Sequence, residues 1–313
     1  MLDVLTGFAI IFVVIGTGYI LAQRGVIGDG DQRLIFNRVA YWVASPSLLF
    51  TTVATSDTST FISPVVVVVF AATVITMAVF WIISRLFFRA DVPTRMSGAA
   101  SASYFNSVNI GLPIAIYVIG DPAYVPPVLL MQMVIISPIV IAGLSADAHA
   151  VGSRSGNVWE AVKSGLTAPV VVAPLAGLII SAAGWTVPDP VMAPLEILAG
   201  ASIPMILISF GASLRGGGVL AAGPDRPATI TASALKLAFM PAAAWVAGLI
   251  AGLDEPALYA AVILSALPTA QNVYNYSANF RAGETVARDT VFITTFLSLP
   301  AMVVIALLFG KGI

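Results

Sequence analysis

Tyr104-Phe-Asn-Ser-Val-Asn-Ile-Gly-Leu-Pro113 and Pro268-Thr-Ala-Gln-Asn-Val-Tyr-Asn-Tyr-Ser277 interrupt two apolar runs with amides, hydroxyls and prolines. In hydrocarbon an unpaired backbone group costs several kcal/mol, so a broken stretch survives only inside protein or beside a water-filled cavity. The residues that break the helix are Gly111 and Pro113 in the first stretch and Pro268 in the second. Glycine loosens the helix, and proline removes a donor and crowds the preceding turn.

The surroundings are those of a membrane protein. The chain is 59% hydrophobic and 9% charged, where a soluble domain carries about 25% charged residues. Its mean hydropathy is +0.99. Cysteine is absent, which excludes thiol chemistry and disulfides. The one histidine, His149, lies in a polar loop without partners, so no metal site and no cofactor are expected. A net charge of −1 supplies no basic face for nucleic acid. An intramembrane enzyme would need a Ser/His or paired-Asp dyad within the apolar runs, and none is there, so the chain reads as no enzyme.

Apolar runs of about 20 residues, enough to cross a bilayer, fall at roughly 4–22, 34–53, 63–84, 97–118, 124–146, 161–183, 191–213, 229–250, 256–279 and 286–309. The N-terminal Met1-Leu-Asp3 lacks the positive region of a cleaved signal, so 4–22 reads as a retained first span. Arg24, Arg33, Arg38, then Arg85, Arg89, Arg95, then Arg154, Lys163, then Arg215, Arg226, then Arg281, Arg288 occupy the odd-numbered loops and the span ends that adjoin them. The even-numbered loops hold no Lys or Arg. Positive loops stay cytoplasmic. The expectation is a multi-pass protein of the cell inner (plasma) membrane, with both termini outside.

Ten spans divide into five and five, and an odd number inverts the second set. The halves are residues 1–146 and 161–313, joined by a short cytoplasmic loop, 147–160. Ala44-Ser-Pro-Ser-Leu-Leu-Phe50 in span 2 resembles Ser202-Ile-Pro-Met-Ile-Leu-Ile208 in span 7, and the broken stretches are spans 4 and 9. The fold class expected is therefore all-α and polytopic, with ten transmembrane helices as two inverted five-helix repeats. Paired broken segments in corresponding halves are the sequence mark of a secondary transporter's binding site near the bilayer midplane.

At these motifs the chain resembles the auxin efflux carrier family, which includes plant PIN-type carriers and bacterial malonate and malate carriers. The likeness lies in Asn106, Gly111 and Pro113 of span 4 and in Ile203-Pro-Met-Ile-Leu-Ile-Ser-Phe-Gly-Ala-Ser-Leu214 of span 7. It continues in Leu235-Lys-Leu-Ala-Phe-Met-Pro241, Leu267-Pro-Thr-Ala-Gln-Asn272 and the run from Thr294 to Pro300. The resemblance covers the whole chain. It implies crossed helices 4 and 9, as in bile-acid symporters and sodium/proton antiporters. It also implies a scaffold of spans 1, 2, 6 and 7, a moving transport unit of spans 3–5 and 8–10, and a homodimer. The short loop at 147–160 departs from plant members with long regulatory loops, so phosphorylation control and auxin as substrate do not carry over.

The expected partners are the lipid bilayer and a small organic anion, a carboxylate. Its substrate-binding candidates are Asn106, Asn109, Gln132, Gln271 and Asn272, because amides donate to a carboxylate without a competing charge. Gln132 resembles a glutamine in span 5 of the plant carriers; an isolated membrane glutamine otherwise joins helices. Ser137, Tyr274, Asn275 and Tyr276 are weaker candidates. Lys236 and Glu196 are charges within spans, and such charges are functional by default. Lys236 would neutralise substrate charge or stand in for a bound cation; Glu196 sits near an outer end. Sodium at the crossover, a proton, or the substrate's own charge remain the coupling choices. An inside-negative potential, at about 2.3 kcal/mol per charge per 100 mV, would expel a monoanion. The rival readings are a sodium-coupled symporter of bile-acid type and a non-transporting sensor.

Overall fold

The computed structural model describes residues 2–28, 31–55, 63–107, 110–121, 124–146, 167–216, 223 and 225–310. Asn109, His149 and the loop 147–160 lie outside the described residues. The helices are α1 (Leu2–Gln23), α2 (Asp31–Val39), α3 (Ser45–Ala54), α4 (Pro64–Phe87), α5 (Val92–Ser103) and α6 (Gly111–Ile114). They continue with α7 (Val125–Met131), α8 (Ser137–Leu144), α9 (Pro169–Ala182), α10 (Asp189–Ser213) and α11 (Arg226–Ala234). The last four are α12 (Met240–Ile250), α13 (Glu255–Ser265), α14 (Gln271–Phe280) and α15 (Glu284–Leu308). The protein is all-helical among the described residues, apart from one isolated bridge between Phe105 and Thr269. Among the described residues, five stretches are long and apolar enough to cross a membrane by length and composition: Pro64–Phe87, Pro127–Leu144, Asp189–Ala212, Arg226–Ile250 and Glu284–Leu308.

Local chemistry sets several helix starts. Ser63, Asp91 and Asp254 cap α4, α5 and α13 by accepting from the N–H of Val65, Thr94 and Ala257, with proline in the first helical positions. The side-chain oxygen satisfies an orphan donor, and proline has no N–H to waste there.

Three runs contain a wide, π-helical turn placed just ahead of a proline: Ala40–Ala44 before Pro46, Gln132–Ile136 before Pro138, and Leu235–Phe239 before Pro241. Proline breaks the i→i−4 ladder. The wide turn bonds at i→i−5 instead: Ser45, Ser137 and Met240 donate to the carbonyls of Ala40, Gln132 and Leu235. Gln132 and Lys236 both sit in such turns, which recur at functional sites.

The helices pack in two sets. In one, α3 lies against α9 and α10, and α1 against α10. At that α1–α10 seam Gly18 meets the carbonyl of Ile208 and Gly211 meets that of Ile15, so closely that a Cβ at either glycine would overlap the opposite backbone. In the other set α4 packs on α5, α12 and α13, while α11 and α15 pack on each other and on α5. Buried hydroxyls there, such as Thr73, Ser101, Ser103, Thr294 and Thr295, return their protons to carbonyls within one turn of their own helix, which lets them sit among apolar neighbours without water.

Candidate functional site

After α5 the chain runs extended over Tyr104–Asn106, and before α14 it does so again over Pro268–Ala270. The two links cross antiparallel. Phe105 pairs with Thr269; the Asn106 N–H donates to the Pro268 carbonyl at 2.9 Å, and the Ala270 N–H to the Tyr104 carbonyl at 3.1 Å. Backbone groups that a continuous helix would have satisfied internally are thus satisfied across the crossing. Pro268 lies in the link itself. Gly111 opens α6, with its N–H returned to the Asn106 carbonyl at 2.9 Å, and Pro113 lies within the first turn of that helix.

Side chains tighten the crossing. Thr269 donates its hydroxyl to the Ser101 carbonyl at 2.6 Å, and its N–H donates to the Thr294 hydroxyl oxygen at 3.0 Å. Gln132 is fully buried, and both ends of its amide are engaged. Its Nε2 donates to the Phe105 carbonyl at 2.9 Å and its Oε1 accepts from Ser107 at 2.6 Å. Gln132 therefore holds the link that carries Asn106.

Asn106 Nδ2 donates to Gln271 Oε1 at 2.6 Å, so the two broken stretches meet through their amides. Gln271 Nε2 is buried and has no hydrogen-bond partner. Gln271 and Asn272 begin α14, whose preceding residue Ala270 offers no side-chain cap. First-turn N–H groups and an uncommitted amide donor here favour negative charge.

This polar corner borders a cavity of about 40 Å³. Tyr104, Asn106, Ser107, Gln271 and Asn272 line one side; Leu48, Leu49, Ser202, Ile206 and Leu207, from α3 and α10, line the other. Leu48 and Leu49 stand at the places of Ile206 and Leu207 in the two matched sequence motifs. Ser202 is bonded to Ser45 at 2.9 Å. The volume takes one or two waters, well short of the roughly 300 Å³ at which small-molecule sites begin.

An aromatic layer lies along α14. Tyr41 meets Tyr276 and Phe280 edge-on at 6.1 and 6.2 Å, and Phe210 meets Tyr274 at 5.5 Å.

Lys236 is fully buried but does not line the cavity. Its Nζ donates to the Ser265 carbonyl, the last residue of α13, at 2.7 Å, and stands 5.3 Å from the centre of the Phe105 ring. The ammonium thus meets the negative end of a half-helix and an aromatic face. Glu196 is exposed on α10, far along that helix from the Ser202–Leu207 segment that faces the cavity. Ser107, Thr269, Thr294 and Ser202 lie within the stretches that the sequence singles out, but nothing there names them as site residues. Hydroxyls are frequent in membrane helices, and nothing in their spacing marks the few that bond across a crossing.

A chain of apolar helices with two broken ones crossed over a polar pocket has the construction of a membrane transport protein. The model of the membrane transport protein family matches residues 3–150 and 158–306, and the chain belongs to this family, that of the auxin efflux carriers. An uncharacterized transporter of Methanothermobacter thermautotrophicus is 27% identical over 210 residues. That alignment covers 66% of this chain and 66% of the relative, just under two thirds of its length.

Proposed function

We propose that the protein is a secondary carrier of small organic anions, carboxylates, working by elevator-like alternating access. The observation that carries this reading is the Asn106–Gln271 amide pair, at the start of α14, with Gln271 Nε2 unspent beside the cavity. Amides and a helix start attract a carboxylate while adding no mobile counter-charge. Membership of a transport family and a relative named as a transporter support the carrier role.

In this reading the two packed sets are scaffold (spans 1, 2, 6, 7) and transport unit (spans 3–5, 8–10) of an inverted repeat, and the apolar wall of α3 and α10 belongs to the scaffold. The cavity, at about 40 Å³, is too small for a carboxylic acid as it stands. A substrate enters when the crossing slides away from that wall, and the amides travel with it. Gln132 positions the Asn106 link. Lys236 is the resident cation of the transport unit, offsetting the α13 end where a coupling ion would otherwise serve. Transport is then driven by the anion's own charge.

Uptake into proteoliposomes of a panel of labelled mono- and dicarboxylates, with and without sodium or pH gradients, tests the reading. Saturable uptake of one acid, independent of sodium and reduced at least about tenfold by Asn106→Ala or Gln271→Ala, is the expected result, as for a lost hydrogen bond to a charged group. Unchanged kinetics in both variants would remove the amides from the site. Sodium-dependent uptake would replace the charge-driven mechanism with a symporter.

A further inference from the structure

Asn275 is the least satisfied polar side chain of the crossing region. It is completely buried, and neither its Nδ2 nor its Oδ1 has a hydrogen-bond partner. Buried amides are almost always paired; two residues on, Ser277 bonds Ser97 at 2.7 Å and Ser97 reaches the Gly283 carbonyl at 3.0 Å, while the adjacent Tyr276 hydroxyl is buried without a partner like Asn275. Asn275 follows Gln271 by four residues on α14, so the two side chains share one face of the helix, one turn apart. Gln271 is 3% exposed and Asn275 is 0% exposed. Gln271 has its oxygen committed to Asn106 and only its Nε2 free. The face therefore holds two unspent N–H₂ donors at the spacing of neighbouring side chains, on the first turns of a ten-residue helix whose start is uncapped.

We propose that Asn275 is a second ligand-binding residue, and that Gln271 Nε2 and Asn275 Nδ2 together clamp the two oxygens of one carboxylate. This rests on the anion-carrier reading above. Two N–H donors at that separation match a carboxylate, which accepts at both oxygens and brings no donor of its own. Bonds to a charged acceptor are the strong kind. Without the anion, the buried amide of Asn275 carries its desolvation cost unrelieved, so the residue works against the stability of the empty protein.

That opposition of sign is the test. Purified protein in detergent is titrated with acetate, benzoate, malonate and malate by calorimetry, and its thermal unfolding without ligand is followed by tryptophan fluorescence. Asn275→Leu is expected to raise the unfolding midpoint of the unliganded protein and to weaken carboxylate binding at least about tenfold. Asn275→Ala is read for binding only, and is expected to show the same loss. Because both amides hold one group, Gln271→Leu combined with Asn275→Leu is expected to lose little more than either alone. A lower midpoint for Asn275→Leu with undiminished binding in both Asn275 variants makes the residue structural and overturns this inference alone. A wild-type protein that binds none of the four acids overturns the carboxylate reading and the clamp with it.

Discussion

The two half-helices that end at the crossing are finished by different chemistry. At the end of α5, the Ser101 carbonyl receives a hydroxyl from Thr269, and the Phe105 carbonyl beyond it receives the amide of Gln132. At the end of α13, the Ser265 carbonyl receives an ammonium from Lys236. Both ends carry the same partial negative charge. One is quenched by hydroxyl and amide donors and the other by the amine of a buried lysine. The two breaks thus share geometry and differ in the donors that finish them, and the end finished by hydroxyl and amide is the one that leads into Asn106.

The largest effect is expected from removing the hydroxyl-and-amide finish. Gln132→Leu leaves the Phe105 carbonyl and the Ser107 hydroxyl buried without their partner, at about 2–4 kcal/mol. It should also slacken the Asn106 link and lower uptake. Thermal unfolding and proteoliposome uptake measure the two consequences, and a variant as stable as the wild type would deny that this end depends on Gln132. Lys236→Met attacks the lysine finish. Burying an ammonium costs several kcal/mol, offset by the carbonyl bond, the helix end and the Phe105 ring. Stability should accordingly shift by under about 2 kcal/mol while the transport rate falls by more than about tenfold. A loss of stability as large as that of Gln132→Leu would make the two ends equivalent. Thr269→Val is the mildest: the Ser101 carbonyl loses its hydroxyl, and a cost of about 1 kcal/mol with near-normal uptake is expected. Should uptake collapse, the hydroxyl-and-amide end would be part of the moving machinery and not merely its seal.

Much of this was legible in the residues, for a physical reason. Amides and prolines in apolar runs have few ways to exist in hydrocarbon, so Asn106, Pro268, Gln271 and the buried Lys236 announce themselves. The family follows from the same ordered motifs. The direction in which each polar group points is a different matter. Gln132 reads identically as a ligand donor or as a clamp on backbone, and only the crossing decides that its amide is spent on Phe105 and Ser107. Asn275 reads only as a weaker candidate beside Tyr274 and Tyr276, and that both ends of its amide are buried without a partner emerges only from the fold. Pro113 looks like the agent of the break, yet it stands within the first turn of α6, where proline fits easily. Serine and threonine carry no such mark, because a hydroxyl can always turn back on its own helix.

The wide turn at Gln132–Ile136 is, counted along the chain, one residue more than an ordinary helix would use. Wound as an ordinary helix, the same residues would carry α8 round by about 100° against α7. Ser137 would then leave the Tyr104 hydroxyl, now 3.0 Å away. The orientation of a whole half-helix is stored as a surplus of one. In this segment the number of residues, and not their identity alone, sets which face of α8 meets Tyr104.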